Sequence, residues 1–166
     1  GCPHTATFFI INQAGRRAAK GKIIYSGDIG CYSLGFYTFE PPRQDTQFCM
    51  GASIGVGCGL ALSGVKDIVV ATIGDSTFIH AGIPALINAV YNDAPIVVVV
   101  FDNETTAMTG FQPHPGTGRN VTGEKTVKVK IEDIAKACCV QNVNVIDPYN
   151  IKESIKVVAN AMKYPR

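Results

Sequence analysis

Two runs of β-branched and apolar residues, Asp67–Ile73 (DIVVATI) and Pro95–Phe101 (PIVVVVF), constrain this chain more than any other feature. Between them lies Thr77–Asn92, where Phe78, Ile79, Ile83, Leu86, Ile87 and Val90 recur at the spacing of one helical face. A strand, a helix and a second strand, with both strands apolar throughout, define a parallel pair covered on both sides. The carboxyl ends of such strands lie side by side, where open α/β sheets take their ligands. The first run ends in Gly74-Asp75-Ser76 and the second in Asp102-Asn103-Glu104-Thr105. A carboxylate from Asp75 and an amide oxygen from Asn103 are therefore expected at one spot. Oxygen donors suit a hard divalent cation such as Mg²⁺, which usually keeps phosphate oxygens among its six ligands. Gly74 lets a phosphate approach the backbone, and the amino end of the next helix adds N–H donors. The plainer role for Asp75 is to cap that helix.

The rest of the chain repeats the β-then-α order. Thr5–Gly21 reads as a helix ended by Gly21, Lys22–Tyr25 (KIIY) as a strand, Pro41-Pro42 as a loop and Thr46–Met50 as a short extended piece. Gly51–Ser63, small and apolar, reads as a buried helix in which Gly55, Gly57 and Gly59 permit close packing. It has no strand leading into a G-x-G-x-x-G order, so a dinucleotide site is disfavoured. Thr106–Gly123 is a long Gly- and Pro-rich loop of the kind that carries function at strand ends. Ile131–Cys139 is expected as a helix and Asn142–Ile146 (NVNVI) as a strand. Ile151–Lys163 follows as an amphipathic helix with Ile155, Val158, Ala159 and Met162 inward. These elements make an α/β fold, a doubly wound, mainly parallel sheet with helices on both faces. No interior linker divides residues 1–166, which read as one domain.

At 46% hydrophobic and 17% charged residues the chain is well buried. A net charge of +2, without a basic run interleaved with aromatics, gives no reason to expect nucleic acid. No apolar stretch is long enough to span a bilayer and no signal-peptide pattern opens the sequence, so a cytoplasmic address is expected. The six cysteines (Cys2, Cys31, Cys49, Cys58, Cys138 and Cys139) lack C-x₂-C or ferredoxin spacing and read as reduced thiols. Cys138 and Cys139 are expected in the core, and His80 as a packed side chain.

The Gly-Asp-Ser tip answered by a D-N-x-T turn resembles the diphosphate motif of thiamine-diphosphate enzymes, with Ser76 in place of a second glycine. The string Gly74–Gly118 (GDSTFIHAGIPALINAVYNDAPIVVVVFDNETTAMTGFQPHPGTG) is similar to the thiamine-diphosphate-binding domain of the indolepyruvate:ferredoxin oxidoreductase large subunit. Cys2-Pro3-His4, Gly27-Asp28-Ile29-Gly30-Cys31-Tyr32 and Cys49-Met50-Gly51-Ala52-Ser53-Ile54-Gly55 agree in the same order, whereas the stretch after Arg119 matches only in general character.

The resemblance implies a thiamine-diphosphate fold of the diphosphate type. Its cation is Mg²⁺, bound by Asp75, Asn103 and the Thr105 carbonyl. It places Gly27, Asp28, Ile29, Gly30 and Cys31 beside the cofactor rings and Gly51, Ala52, Ser53 and Ile54 against the cofactor. Cys2 and His4 approach the diphosphate, which Gly74, Ser76, Thr109, Gly110 and Gln112 help fix, and His114 sits near substrate. Asp28 otherwise reads as a tight-turn residue bonded to its own backbone, and Cys2 and His4 as a frayed end.

The implied activity is oxidative decarboxylation of arylpyruvates to acyl-CoA with ferredoxin as acceptor. No residue here is assigned as catalytic, because the activating glutamate belongs to a pyrimidine-binding domain on the same or a second chain. Iron–sulfur clusters belong to a further segment of the longer subunit. A smaller partner subunit, CoA, a 2-oxoacid and a dimer complete the expectation, and the isolated domain is expected to be inactive. The alternatives are a non-oxidative 2-oxoacid decarboxylase subunit and a non-enzymatic domain binding a phosphorylated ligand or partner.

Overall fold

The computed structural model describes residue 2 and residues 4–18, 22–37 and 44–165. Among them, β1 (Ile23–Gly27), β2 (Thr46–Gln47), β3 (Ile68–Gly74) and β4 (Ile96–Phe101) form a parallel sheet in the order β2-β1-β3-β4. In its register Ile73 faces Val100 and Gly74 faces Phe101. The two apolar runs thus end level, and Asp75 and Asp102 leave the sheet together.

β3 alternates between two cores, as a strand buried on both faces must. Val70 joins the first, which is built with α1 (His4–Ala18) and α6 (Ile151–Lys163). Ala71 and Ile73 join the second, built with α2 (Ala52–Leu62), α4 (Ile83–Tyr91) and α5 (Ile131–Ala137). Helices therefore cover both faces, the doubly wound arrangement read from the sequence. Ile155, Val158, Ala159 and Met162 of α6 are all buried. No helix among the described residues is long and apolar enough to cross a membrane.

The helical run after β3 opens with α3 (Asp75–Thr77) and widens to a π-turn over Phe78–Gly82 before α4. Pro84 explains the widening, since its ring excludes the carbonyl four residues earlier and it donates no N–H. The π-turn carries His80 outward, so this histidine is exposed and not packed as expected.

Several expectations need correction. Asn142–Ile146 forms no strand. Only Val143 and Ile146 are partly covered while Val145 is 77% exposed, a spacing of three that no pleated ladder can use. α5 stops at Ala137; Cys138 packs partly against the second core, but Cys139 turns out to solvent at φ 65°. In α2, Gly55 and Gly59 face open space and only Gly57 lies over the sheet, at ordinary contact distances from Val69, Ala71 and Ser26. Gly21 and the Pro41-Pro42 loop lie outside the described residues.

Candidate functional site

Beyond the ends of β3 and β4 the chain leaves an open cleft. Gly74–Thr77, Asn103 and Thr105–Thr109 line one side, and Ile29–Tyr32, Met50 and His4 the other. Asp75 is buried at its centre. Its Oδ1 accepts the N–H of Ser76 at 2.7 Å and its Oδ2 accepts the N–H of Asn103 at 3.2 Å. One carboxylate thus bonds the start of its own helical run and reaches the neighbouring strand tip, although the N-cap position itself is Gly74. Thr106 Oγ1 donates to Ser76 Oγ at 2.9 Å, fastening the start of the long loop to the same tip.

Asn103 carries the most telling geometry. Its side-chain oxygen lies 2.7 Å from the Thr105 carbonyl oxygen and 3.3 Å from Asp75 Oδ2. Two acceptor oxygens thus face the Asn103 oxygen, which also accepts the N–H of Thr105 at 3.3 Å. With no cation present, turning the amide over would let its NH₂ donate to both of these neighbours. With a cation between them the oxygen-inward orientation is the correct one. Adjacent ligands around octahedral Mg²⁺, at about 2.1 Å from the metal, are about 3.0 Å apart, the range observed here. The residues fit the cation. One carboxylate, one amide and one carbonyl are also the sparse protein set that Mg²⁺ accepts when phosphate supplies the rest. Among the described residues no cluster of three or more His, Cys, Asp or Glu side chains is placed to bind a metal.

Negative charge concentrates here. The Asp102 carboxyl is pushed up from its usual range, first by partial desolvation and further by the nearby Asp75. On the opposite wall, burial lowers the pKa of His4 even though Asp75 pulls the other way, which favours the neutral ring. Burial raises the Cys31 thiol, with the adjacent Cys2 adding to it, so Cys31 is a poor thiolate source.

Beneath the cleft sits an aromatic floor assembled from segments far apart in the chain, with no local signal to announce it. The Tyr32 ring stacks on Phe101 at 5.5 Å and 15°, and His4 meets Phe101 edge-on at 5.1 Å. Tyr32 donates its hydroxyl hydrogen to the Ile29 carbonyl, and burial drives its pKa well above that of free tyrosine. Its ring fills the space where side chains at Gly30 and Gly74 would stand, 2.4 and 2.6 Å from the respective Cβ positions. Gly74→Ala is accordingly expected to lower stability by about 1–3 kcal/mol through overpacking. A thermal melt checks this, and a melting temperature equal to the parent's would contradict it.

The remaining expected residues divide. Ile29, Gly30 and Cys31 line the cleft with His4 and Thr109, whereas Gly27, Asp28 and Gly51–Ile54 lie outside its lining. Asp28 is fully buried, and its carboxylate accepts the N–H groups of Ile29 (2.8 Å), Gly51 (2.9 Å) and Ser53 (3.0 Å). The amides of Gly51 and Ser53, expected to face a ligand, are thus taken by Asp28, which bonds its own backbone and caps α2. Cys2 is exposed outside the lining. Gln112 pairs with Thr109 through two hydrogen bonds of 2.7 and 2.8 Å, and with Gly110 stays at the exposed rim. His114 is buried against Asp75.

Fold and cleft define a class: an α/β domain with a ligand site at the carboxyl edge of a parallel sheet. Within that class the chain belongs to the family described as Thiamine pyrophosphate enzyme, C-terminal TPP binding domain, which it matches over residues 28–166. It is 49% identical over 166 residues to the indolepyruvate oxidoreductase subunit IorA of Archaeoglobus fulgidus, a match covering 99% of this chain and 26% of that protein. The IorA subunit of Thermococcus kodakarensis is 48% identical over 177 residues, a match covering 98% of this chain and 26% of the relative. The chain therefore spans about a quarter of the length of these relatives. Among solved structures, 2-oxoglutarate:ferredoxin oxidoreductase from Magnetococcus marinus superimposes with a TM-score of 0.80 at 17% identity, covering 99% of this chain and 60% of that one. Benzoylformate decarboxylase from Polynucleobacter necessarius does so at 0.62 and 18%, covering 93% and 31%. At such identities these two likenesses speak for the fold.

Proposed function

We propose that this chain binds Mg²⁺ through Asp75, Asn103 and the Thr105 carbonyl and holds thiamine diphosphate beside it, as one domain of an oxidoreductase that oxidatively decarboxylates arylpyruvates such as indolepyruvate. The oxygens of Asp75, Asn103 and Thr105 gathered between the tips of β3 and β4 carry the reading, because a cation would hold the Asn103 oxygen inward among them. Identity of 49% and 48% to subunits named indolepyruvate oxidoreductase supports the substrate class. Coenzyme A and ferredoxin are the partners that the resemblance implies.

Bound thiamine diphosphate would supply a nucleophilic thiazolium carbon that adds to the keto group and stabilises the charge left when carbon dioxide departs. The residues of this chain do the holding. Asp75 brings negative charge to the cation, and Ser76, Thr106 and Thr109 present hydroxyls along the same wall. Ile29, Tyr32 and Met50 on one wall and Met108 on the other would give the cleft apolar surface that keeps water from the rings.

The activating glutamate is to come from a pyrimidine-binding domain of the same or a second chain. Phe48, Met50, Met108 and Phe111, 52–73% exposed, are the apolar surface on which such a domain would close. Iron–sulfur clusters, a smaller subunit and assembly as a dimer belong to the same proposal, as does the inactivity of this domain alone.

Titration calorimetry tests the binding. Thiamine diphosphate is expected to bind with Mg²⁺ present and to be released when a chelator removes it. Equal affinity for thiamine diphosphate and ATP, or binding indifferent to the chelator, would rule the proposal out.

A further inference from the structure

His114 stands in the loop 106–123, far along the chain from Asp75, yet its side chain is 1% exposed and its Nε2 lies 3.2 Å from Asp75 Oδ2. Its other ring nitrogen settles the tautomer. Nδ1 accepts the N–H of Gly116 at 3.2 Å, so the proton resides on Nε2 and points towards the carboxylate. Nε2 has no other partner, and at 3.2 Å it is off the line a full hydrogen bond requires. A buried donor that stops just short of its acceptor is a group held ready, since leaving it unmade is costly.

The ring is rigidly mounted. Pro113 and Pro115 flank it, and its carbonyl accepts both the N–H and the hydroxyl hydrogen of Thr117 at 2.8 Å. The N–H of Val129 holds the Pro115 carbonyl at 2.9 Å. Any Cβ on Gly116 would stand 2.8 Å from His114 Cε1, so glycine is what lets the ring lie there.

Building on the cation site proposed above, we infer that His114 is a positioning residue that donates from Nε2 to Asp75 Oδ2 and fixes the carboxylate in the rotation that turns it towards Asn103 and Thr105. It contributes no ligand. It makes the Gly- and Pro-rich loop and the cation site one mechanical unit, so that affinity for the metal depends on the loop being docked. Outer partners of this kind usually change metal affinity about ten- to a hundredfold.

The test uses Mn²⁺ as a spectroscopic probe of the Mg²⁺ position, titrated by electron paramagnetic resonance into the purified protein at fixed thiamine diphosphate. His114→Leu fills the same space without a donor, and His114→Gln restores one near the position of Nε2. Mn²⁺ affinity is expected to fall about tenfold or more in the leucine variant and to recover most of that loss in the glutamine variant, with melting temperatures of the two alike. Unchanged Mn²⁺ affinity in His114→Leu overturns the inference, as do equal losses in both variants that follow their melting temperatures. Asp75→Asn separates the two levels. If it abolishes Mn²⁺ binding while His114→Leu does not, only the positioning role fails; if it leaves Mn²⁺ binding intact, the cation site fails and the inference with it.

Discussion

Asp75→Asn is expected to weaken Mg²⁺-dependent binding of thiamine diphosphate at least about a hundredfold, roughly 2.8 kcal/mol. Size is conserved, so the loss reflects charge and acceptor count and not volume. Asp75 is the carboxylate among the three proposed protein ligands, and its oxygens already serve the N–H of Ser76 and of Asn103. An asparagine has one acceptor where two are used. Whichever way it turns, its NH₂ faces one of those donors, at a cost to folding of about 1–3 kcal/mol. Removing charge beside Asp102 offsets part of this. Calorimetry at saturating Mg²⁺ measures the first effect and a urea titration the second. A variant that binds the cofactor like the parent protein removes Asp75 from the ligand set.

Asp28→Ala is expected to produce the opposite profile, a collapse of stability that no added cofactor or Mg²⁺ repairs. The substitution strips three N–H groups of their acceptor, Ser53 buried and Ile29 and Gly51 partly buried. At about 1–3 kcal/mol for each orphaned group the total is several kcal/mol, against the about 5–15 kcal/mol by which domains are stable. Asp28→Asn keeps one acceptor oxygen and should fall between. Chemical denaturation followed by circular dichroism decides, and parental stability in Asp28→Ala would show these bonds to be dispensable. Two aspartates follow two Gly-rich strand ends; the first holds the fold together and the second is proposed to hold the ligand.

That pair shows what could be read from the chain and what could not. The local rhythm of DIVVATI and PIVVVVF was enough to place Asp75 and Asn103 together, because a parallel β-α-β unit leaves few ways to end two strands. It could not say which of two similar Gly-Asp turns points into the cleft. Asp28 turns under it because the amino end of α2 lies within reach, a long-range fact without local trace. Tyr32 and Phe101 escaped for the same reason, since their stacking depends on the sheet bringing distant segments together. NVNVI misled because alternation of residue types imitates a strand even where no ladder neighbour exists. The π-turn at Phe78–Gly82 had a local signal in Pro84, two residues after it and inside an otherwise regular face. His114 was legible as a histidine of the long loop, but its burial against Asp75, outside the cleft lining, required coordinates.

The pairing of Gly74 with Phe101 sets a tolerance on the whole proposed chemistry. A slip of β4 by two residues would preserve which side chains face each core, yet carry Asn103 about 6.6 Å along its axis. Oxygens now 3.3 Å apart would then be too distant to share any ion. Main-chain bonds between two strands, made by residues that never meet a ligand, therefore act as the gauge for the site. Insertions or deletions inside either strand should be purged even where the packing could absorb them.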